Sequence, residues 1–133
     1  MRLFADTFYF IALLDASDAH HAVAVERLRG REAVVVTTRW VLAEVADALS
    51  APIMRRRAAT FIEQLQRHPN FVVCEESDEL FVSGLALYSA RPDKAWSLTD
   101  CISFVVMEKE GVRQALTGDR HFSQAGFEAI FAE

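Results

Sequence analysis

The chain has 133 residues, enough for one domain with its own core, and its 52% hydrophobic and 25% charged residues exclude a disordered chain. No apolar run approaches the roughly 18 residues needed to cross a bilayer, which excludes a membrane-spanning segment. The net charge of −5 argues against a nucleic-acid partner, whose backbone attracts cations, unless some of the acids bind metal ions.

The cysteines and the start of the chain bear on the cellular compartment. Cys74 and Cys101 stand among apolar residues without the spacing of a metal site, which indicates reduced, buried thiols. No basic start followed by a long apolar region and a small-residue cleavage site is present, so no signal peptide is predicted. We therefore expect a cytoplasmic protein.

Apolar periodicity predicts strands and helices that alternate along the chain. The first half has a strand at residues 1–5, a helix at 7–14, a helix capped by Ser17 or Asp18 that runs to about residue 29, a strand at 33–36, and helices at 39–49 and 52–66. The second half has a strand at 71–74, helices at 78–90 and 97–110, a strand at 115–117 and a short strand near 129–131. This order predicts one α/β domain over residues 1–133, with a mostly parallel sheet of four to five strands flanked by helices on both faces.

Two aspartates follow predicted strands directly or nearly so. Asp6 comes after the first strand, and Asp119 comes shortly after the strand at 115–117. If these strands are neighbours, both carboxylates lie at the carboxyl edge of the sheet, where sites gather in such folds. Each residue alone is also compatible with a simple role in capping a turn or the next helix.

Glu44 lies at the edge of an apolar helix stripe formed by Val41, Val45, Ala48 and Leu49. No residue three or four positions away is basic, so the helix itself supplies no partner for the carboxylate. A half-buried carboxylate without a partner costs several kcal/mol. A distant Arg or a metal ion would remove that cost.

Asp100 stands in the first turn of a helix that is apolar on nearly every side. Ser97 and Asp100 have the spacing of a capping box, which is a sufficient structural reason for the acid. A carboxylate at the mouth of a buried helix is also well placed to bind an ion. We interpret Asp6, Glu44, Asp100 and Asp119 together as an oxygen-rich site for Mg²⁺ or Mn²⁺, which suits the activation of a water for in-line attack on a phosphodiester.

Four segments resemble the motifs of the PIN-domain family. They are residues 2–7 (RLFADT), 41–44 (VLAE), 96–101 (WSLTDC) and 115–122 (ALTGDRHF), and their order and spacing agree with the family over essentially the whole chain. Within the family the sequence is most similar to the small VapC-type toxins of toxin–antitoxin pairs. One departure is Phe8, which stands where such proteins often carry Ser or Asn.

The resemblance implies a metal-dependent endoribonuclease, the toxin of a toxin–antitoxin pair. It implies Mg²⁺ or Mn²⁺ as cofactor, with Asp6 and Asp100 tied most directly to the metal and with Glu44 and Asp119 as the two remaining catalytic acids. It also implies RNA as substrate, a small antitoxin partner that occludes the site, and a homodimer. No membrane partner is expected.

Other polar residues have weaker assignments. Thr7 and Thr117 could position a metal-bound water or merely cap the backbone, and His121 could contact RNA or hydrogen-bond Asp119. The basic run Arg55, Arg56 and Arg57, together with Arg120, could bind RNA or the antitoxin, although a solvated helix face is the favoured interpretation of the run. His20 and His21 are ordinary helix-start residues.

Two other functions are alternatives to the ribonuclease, and two enzyme classes are disfavoured. A catalytically weak PIN-like module that binds RNA or a protein would explain Phe8 beside the acids. Phosphotransfer on Asp6 ranks last, because the sequence has neither the adjacent acid nor the later strand-end Lys that this chemistry needs. The sequence contains neither a Gly-x-Ser-x-Gly elbow nor a Gly-rich phosphate loop, which disfavours serine hydrolases and P-loop enzymes.

Overall fold

The computed structural model describes residues 1–29 and 33–132 of the chain. The predicted domain spans residues 1–133, so residues 30–32 and 133 of that range lie outside the described residues. The elements follow in the order β1 (Arg2–Ala5), α1 (Thr7–Leu14), α2 (His21–Leu28), β2 (Val34–Thr38), α3 (Arg39–Ala48), α4 (Pro52–Leu65), β3 (Phe71–Cys74), α5 (Asp78–Ala90), α6 (Leu98–Glu110), β4 (Gln114–Leu116), α7 (Arg120–Gln124) and β5 (Glu128–Ala129).

The five strands form one sheet in the order β3-β2-β1-β4-β5, and every pair in it is parallel. β1 is the central strand, with Leu3, Phe4 and Ala5 buried, as expected for a strand covered on both sides. Its register places Leu3 beside Val35 of β2 and Phe4 beside Ala115 of β4. The predicted parallel α/β sheet is confirmed.

The direction in which the chain crosses the sheet changes once. It steps from β1 to β2 to β3 on one side, and then passes to β4 and β5 on the other side of β1. Because parallel connections are right-handed, this reversal puts α1 to α4 on one face and the helices from α5 onward on the other. The carboxyl ends of β1 and β4 therefore flank a topological switch point, the place where open α/β sheets bind ligands.

The second helix begins later than its predicted cap. Helix α2 starts at His21, and the preceding His20 makes no side-chain capping bond. Asp15 accepts hydrogen bonds from the amide and hydroxyl of Ser17, and Asp18 accepts one from the amide of His20. Both acids stabilise a turn between α1 and α2, so the expectation that Ser17 or Asp18 caps the helix is wrong.

Smaller differences from the sequence-based expectations lie in other places. Apolar periodicity does not predict α7, because five residues are too few to show a helical repeat. The last strand is at Glu128–Ala129 and not at 129–131, and Ala48 is exposed although it was placed in the apolar stripe of α3. Cys74 and Cys101 are free thiols, of which Cys101 is buried and Cys74 only partly so.

None of the helices in the described residues combines the length and apolar character that a bilayer span requires.

An aromatic cluster fixes α6 and α7 on the sheet. The ring of Phe104 on α6 packs edge-on against Trp96 and Phe122, with centroids 5.1 and 5.0 Å away, and Phe122 on α7 in turn lies 6.2 Å from Phe4 on β1. Such pairs contribute roughly 0.5–1.5 kcal/mol each beyond their buried area. The three elements that carry Asp6, Asp100 and Asp119 are thus held by one cluster of rings.

Helices α5 and α6 approach closely at Gly84. A Cβ atom at this position would overlap the side chain of Ile102 and lie 3.2 Å from its Cα. Gly84 is buried within α5, so only a residue without a side chain permits this approach.

We predict that Gly84→Ala lowers the free energy of unfolding by about 1–3 kcal/mol, because overpacking against Ile102 outweighs the gain of about 1 kcal/mol in helix propensity. Chemical denaturation measures the change. Val82→Ala is the control, since Val82 is exposed on the same helix and should leave stability unchanged or slightly higher. A Gly84→Ala protein as stable as the control would contradict the close contact.

Candidate active site

Asp6 lies at the carboxyl end of β1 and is only 5% exposed. Its backbone begins α1, yet its side chain makes no capping bond to that helix. The hydroxyl of Thr117 donates to Asp6 Oδ2 at 3.1 Å. The carboxylate is therefore directed toward the switch point between β1 and β4, not into the turn that follows it.

Burial raises the pKa of Asp6 from 3.8 to about 7. Removal from water is the largest cause, and the nearby carboxylates of Asp100 and Glu44 raise the pKa further. Hydrogen bonds from the Thr7 backbone and from Thr117 oppose the shift without cancelling it. Near neutral pH this group is costly to ionise unless a cation joins it.

Glu44 reaches the same place from α3. The side chain of Thr38 accepts a hydrogen bond from the amide of Val41 and so fixes the start of this helix, while Val41 and Val45 face the core. Glu44 is half-buried, and the hydroxyl of Thr7 donates to its Oε1 at 2.6 Å. No Lys, Arg or His among the described residues lies within ion-pair distance of its carboxylate.

Asp100 serves the helix and the site together. Ser97 accepts from the amide of Asp100 at 2.9 Å, and Asp100 Oδ2 accepts from the amide of Ser97 at 3.1 Å, which completes the predicted capping box of α6. The same Oδ2 lies 2.9 Å from Nδ1 of His121. Burial, followed by the adjacent charge of Asp100, raises the pKa of the Cys101 thiol, so Cys101 is an inert part of the core.

Asp119 caps the short helix α7, and its side chain is 35% exposed. Its Oδ1 accepts from the amide of His121 at 2.9 Å and lies 3.5 Å from the ring Nδ1 of the same residue. The hydroxyl oxygen of Thr117 accepts from the amide of Asp119 at 3.1 Å. Because that hydroxyl also donates to Asp6, Thr117 links the strand-end acids to each other.

The acidic residues meet in a cleft of about 490 Å³, here called the acidic cleft. Its lining includes Asp6, Thr7, Phe8, Glu44, Ala95, Ser97, Asp100, Gly118, Asp119 and His121. Six of the predicted site residues are among them, and the buried Thr117 lies behind Asp6. Donor atoms of Asp100, Asp119 and His121 lie within 4.8 Å of one another.

The basic residues singled out from the sequence do not line this cleft. Arg55, Arg56 and Arg57 are exposed near the start of α4, where Arg55 donates to the backbone of Ser50 at 2.8 Å. Arg120 is exposed on α7. Neither set contributes a hydrogen bond to the acids among the described residues.

Phe8 and Gly118 form a contact that the sequence alone does not reveal. A Cβ atom at Gly118 would lie 2.7 Å from Cζ of Phe8, so the ring occupies the space that a side chain at 118 would need. The ring also packs against His20 and Phe131. The only signal in the sequence is the glycine beside Asp119 in the TGD string.

The donor set fits Mg²⁺ or Mn²⁺. It consists of carboxylate oxygens with a single imidazole and no thiolate, which favours hard cations over zinc. The buried Asp6 carboxyl, whose pKa is raised from 3.8 to about 7, supplies an independent reason for a cation here. Carboxylates arranged in this way can hold a divalent ion against the oxygens of a phosphodiester.

Comparison with known proteins finds similar sequences and a similar structure. The model of the PIN domain matches residues 3–128. The chain is 29% identical to the 23S rRNA-specific endonuclease VapC20 of Mycobacterium tuberculosis, in each of two strains, over 131 residues that make up 98% of this chain and 99% of the relative. The crystal structure of Mycobacterium tuberculosis VapC20, described as a Sarcin-Ricin loop cleaving toxin, has a TM-score of 0.87 and 28% identity and covers 96% of this chain and 98% of that one.

We predict that Asp6→Asn stabilises the metal-free protein at about pH 8 by on the order of 3 kcal/mol. Between the unfolded pKa of 3.8 and the folded pKa of about 7, the unfolded chain releases the Asp6 proton while the folded chain keeps it. The stability of the parent therefore falls as the pH rises through this window. The advantage of the variant should shrink toward pH 4, as measured by denaturation in the presence of a chelator.

Asp47→Asn is the matched control, because Asp47 is an exposed acid on α3. It should change stability by less than about 0.5 kcal/mol at either pH. If Asp6→Asn showed no pH-dependent advantage over Asp47→Asn, the burial argument would be wrong.

Proposed function

The chain belongs to the PIN-domain family, and from this premise we propose that it is a metal-dependent endoribonuclease, the toxin of a toxin–antitoxin pair. The observation that supports the proposal most strongly is the meeting of four carboxylates at one edge of the sheet. One of them is buried with a pKa of about 7, and none has a Lys or Arg partner among the described residues. Ribonuclease toxins of the VapC type are also the relatives that the chain matches over nearly its full length.

We assign Asp6 and Asp100 as the residues most directly bound to Mg²⁺ or Mn²⁺, with Glu44 and Asp119 completing the set. When bound, the ion supplies the positive charge that activates a water and stabilises the leaving oxygen of a phosphodiester. Asp6 would hold the ion as its deprotonated carboxylate, the form that its burial disfavours in the absence of a cation. The carboxylates thus repel one another in the absence of a cation, and a bound cation would offset their negative charge.

Three neighbouring residues orient these acids. Thr7 holds Glu44 through its 2.6 Å hydrogen bond, and Thr117 links Asp6 with the amide of Asp119. His121 lies between Asp100 and Asp119, 2.9 and 3.5 Å from their carboxylate oxygens. We propose that these contacts hold the acids at fixed separations while the substrate binds.

The partners follow from the same assignment. We propose RNA as substrate, a small antitoxin as protein partner and a homodimer as the assembled form, acting in the cytoplasm. Because the relative VapC20 is 23S rRNA-specific, structured ribosomal RNA is the first substrate to test. Arg55, Arg56, Arg57 and Arg120 are exposed and do not line the acidic cleft, so we propose that they contact the antitoxin or parts of the RNA outside the cleft.

A catalytically weak binding module is the alternative, and its only support in the sequence is Phe8. The ring of Phe8 lies against Gly118, His20 and Phe131. All four acids still line the acidic cleft beside it. The arrangement therefore favours the enzyme.

We predict that Asp100→Asn lowers the rate of RNA cleavage by on the order of 100-fold or more, because it removes one charge from the cation site. An Asn side chain still offers an oxygen to the amide of Ser97, so the capping box and the fold should remain. The assay is cleavage of purified ribosomal RNA by the antitoxin-free protein with Mg²⁺, with Mn²⁺ and with chelator.

Asp47→Asn, an exposed acid on α3, should cleave as fast as the parent. Metal-dependent cleavage that Asp100→Asn loses and Asp47→Asn keeps is the expected result. A folded parent that cleaves no RNA with either metal would overturn the enzyme in favour of the binding module.

A further inference from the structure

A second cleft adjoins the acidic one, between the end of α5 and the start of α6. It has a volume of about 890 Å³, within the range of small-molecule sites, and its lining includes Tyr88, Arg91, Pro92, Lys94, Trp96 and Leu98. We call it the loop cleft. Ala95 and Ser97 line both clefts, so the loop cleft opens directly beside the carboxylates.

The described residues at the loop cleft carry one positive charge in excess. Arg91 is already neutralised, since it donates two hydrogen bonds to Asp93 at 3.0 and 2.9 Å and lies over the ring of Trp96 at 5.2 Å. The pairing with Arg91 lowers the pKa of Asp93 to about 2, so Asp93 stays ionised. Lys94 lies 4.0 Å from the same Asp93 carboxylate, so one acid is shared by two cations and one positive charge is left in excess, in a chain whose net charge is −5.

The same cleft presents an aromatic ring to solvent. Tyr88, on the last turn of α5, is 50% exposed, and Pro92 and Leu98 add further apolar surface to the cleft. An exposed ring near a cation is the combination that binds a nucleotide of a single-stranded nucleic acid, with the base stacked and the phosphate paired.

We propose that the loop cleft binds the nucleotide adjacent to the scissile phosphate, with Lys94 on a phosphate and Tyr88 against the base. The assignment rests on the proposed ribonuclease function and adds a substrate subsite to it. The shared wall of Ala95 and Ser97 is the reason for adjacency, because a strand that leaves the acidic cleft past this wall enters the loop cleft. Among the described residues that line the loop cleft, Lys94 supplies the excess positive charge, which offsets the repulsion between the acids and the RNA backbone.

The first test is Lys94→Gln against Lys109→Gln. These are the two lysines of the chain, and Lys109 is exposed in the last turn of α6, at the opposite end of that helix. The probe is a fluorescein-labelled single-stranded RNA of mixed sequence, bound by the full chain carrying Asp100→Asn so that the RNA stays intact. Affinity is measured by fluorescence anisotropy from about 50 to 200 mM salt, a range over which phosphate contacts lose strength.

We predict that Lys94→Gln weakens binding by roughly 3- to 10-fold and reduces the slope of log affinity against log salt by about one, as expected for the loss of one phosphate contact. Lys109→Gln should change both the affinity and the salt slope by less than Lys94→Gln does. Equal effects of the two substitutions would overturn the role of Lys94.

The second test separates stacking from charge. Tyr88→Ala should weaken binding about fivefold or more and leave the salt slope unchanged, because a stacked base releases no counterions. Phe81→Ala is the control, since Phe81 is also an exposed aromatic residue of α5 but does not line the loop cleft. Equal affinities of the two variants, or a change in oligomeric state by Tyr88→Ala without loss of RNA affinity, would overturn the subsite.

Cleavage by the parent, measured alongside, distinguishes the two proposals. A parent that cleaves RNA while Lys94→Gln and Tyr88→Ala bind as well as their controls would remove the subsite and leave the ribonuclease intact. A parent that neither cleaves nor binds RNA would remove both.

Discussion

The burial of the Asp6 carboxyl group is the constraint on which the rest of the site depends. β1 is the central strand of the sheet, so a residue at its carboxyl end has little access to water. Asp100 and Glu44 bring further negative charge to the same place and add to the effect of burial. A folded chain gains nothing in stability from such an arrangement, since clustered carboxylates repel one another. In the proposed function, a bound cation would offset this repulsion and make the arrangement favourable.

Short hydrogen bonds and aromatic packing hold the acidic residues in place. Thr7 and Thr117 bond directly to two of the carboxylates, and Ser97 closes the capping box that fixes Asp100 at the start of α6. Behind them, Phe104 and Phe122 join α6 and α7 to the central strand. The loop that precedes α6 contributes lining residues to both clefts, so the segment that positions Asp100 also borders the proposed nucleotide subsite.

Local features of the site could be predicted from the sequence, and long-range ones could not. The capping box of Ser97 and Asp100 depends on residues three apart, and α1 is confirmed at 7–14 because its apolar pattern is local. The hydrogen bond between Thr7 and Glu44 joins residues 37 positions apart, and the strand order that brings Asp6 beside Asp119 is likewise set by tertiary packing. The predicted start of α2 was wrong because the side chains of Asp15 and Asp18 accept hydrogen bonds from backbone amides of the preceding turn. Residue types alone do not decide whether such a side chain stabilises a turn or caps a helix.

The most direct test of this account is a titration of the Asp6 carboxyl carbon by NMR, without metal and with saturating Mg²⁺. The account predicts a midpoint near pH 7 in the metal-free protein, set mainly by burial. It predicts that Mg²⁺ lowers this midpoint by more than about one pH unit, because the ion binds the deprotonated form. A midpoint near the ordinary value of 3.8 without metal, or a midpoint that Mg²⁺ leaves unchanged, would contradict the claim that the buried carboxylate is part of a cation site.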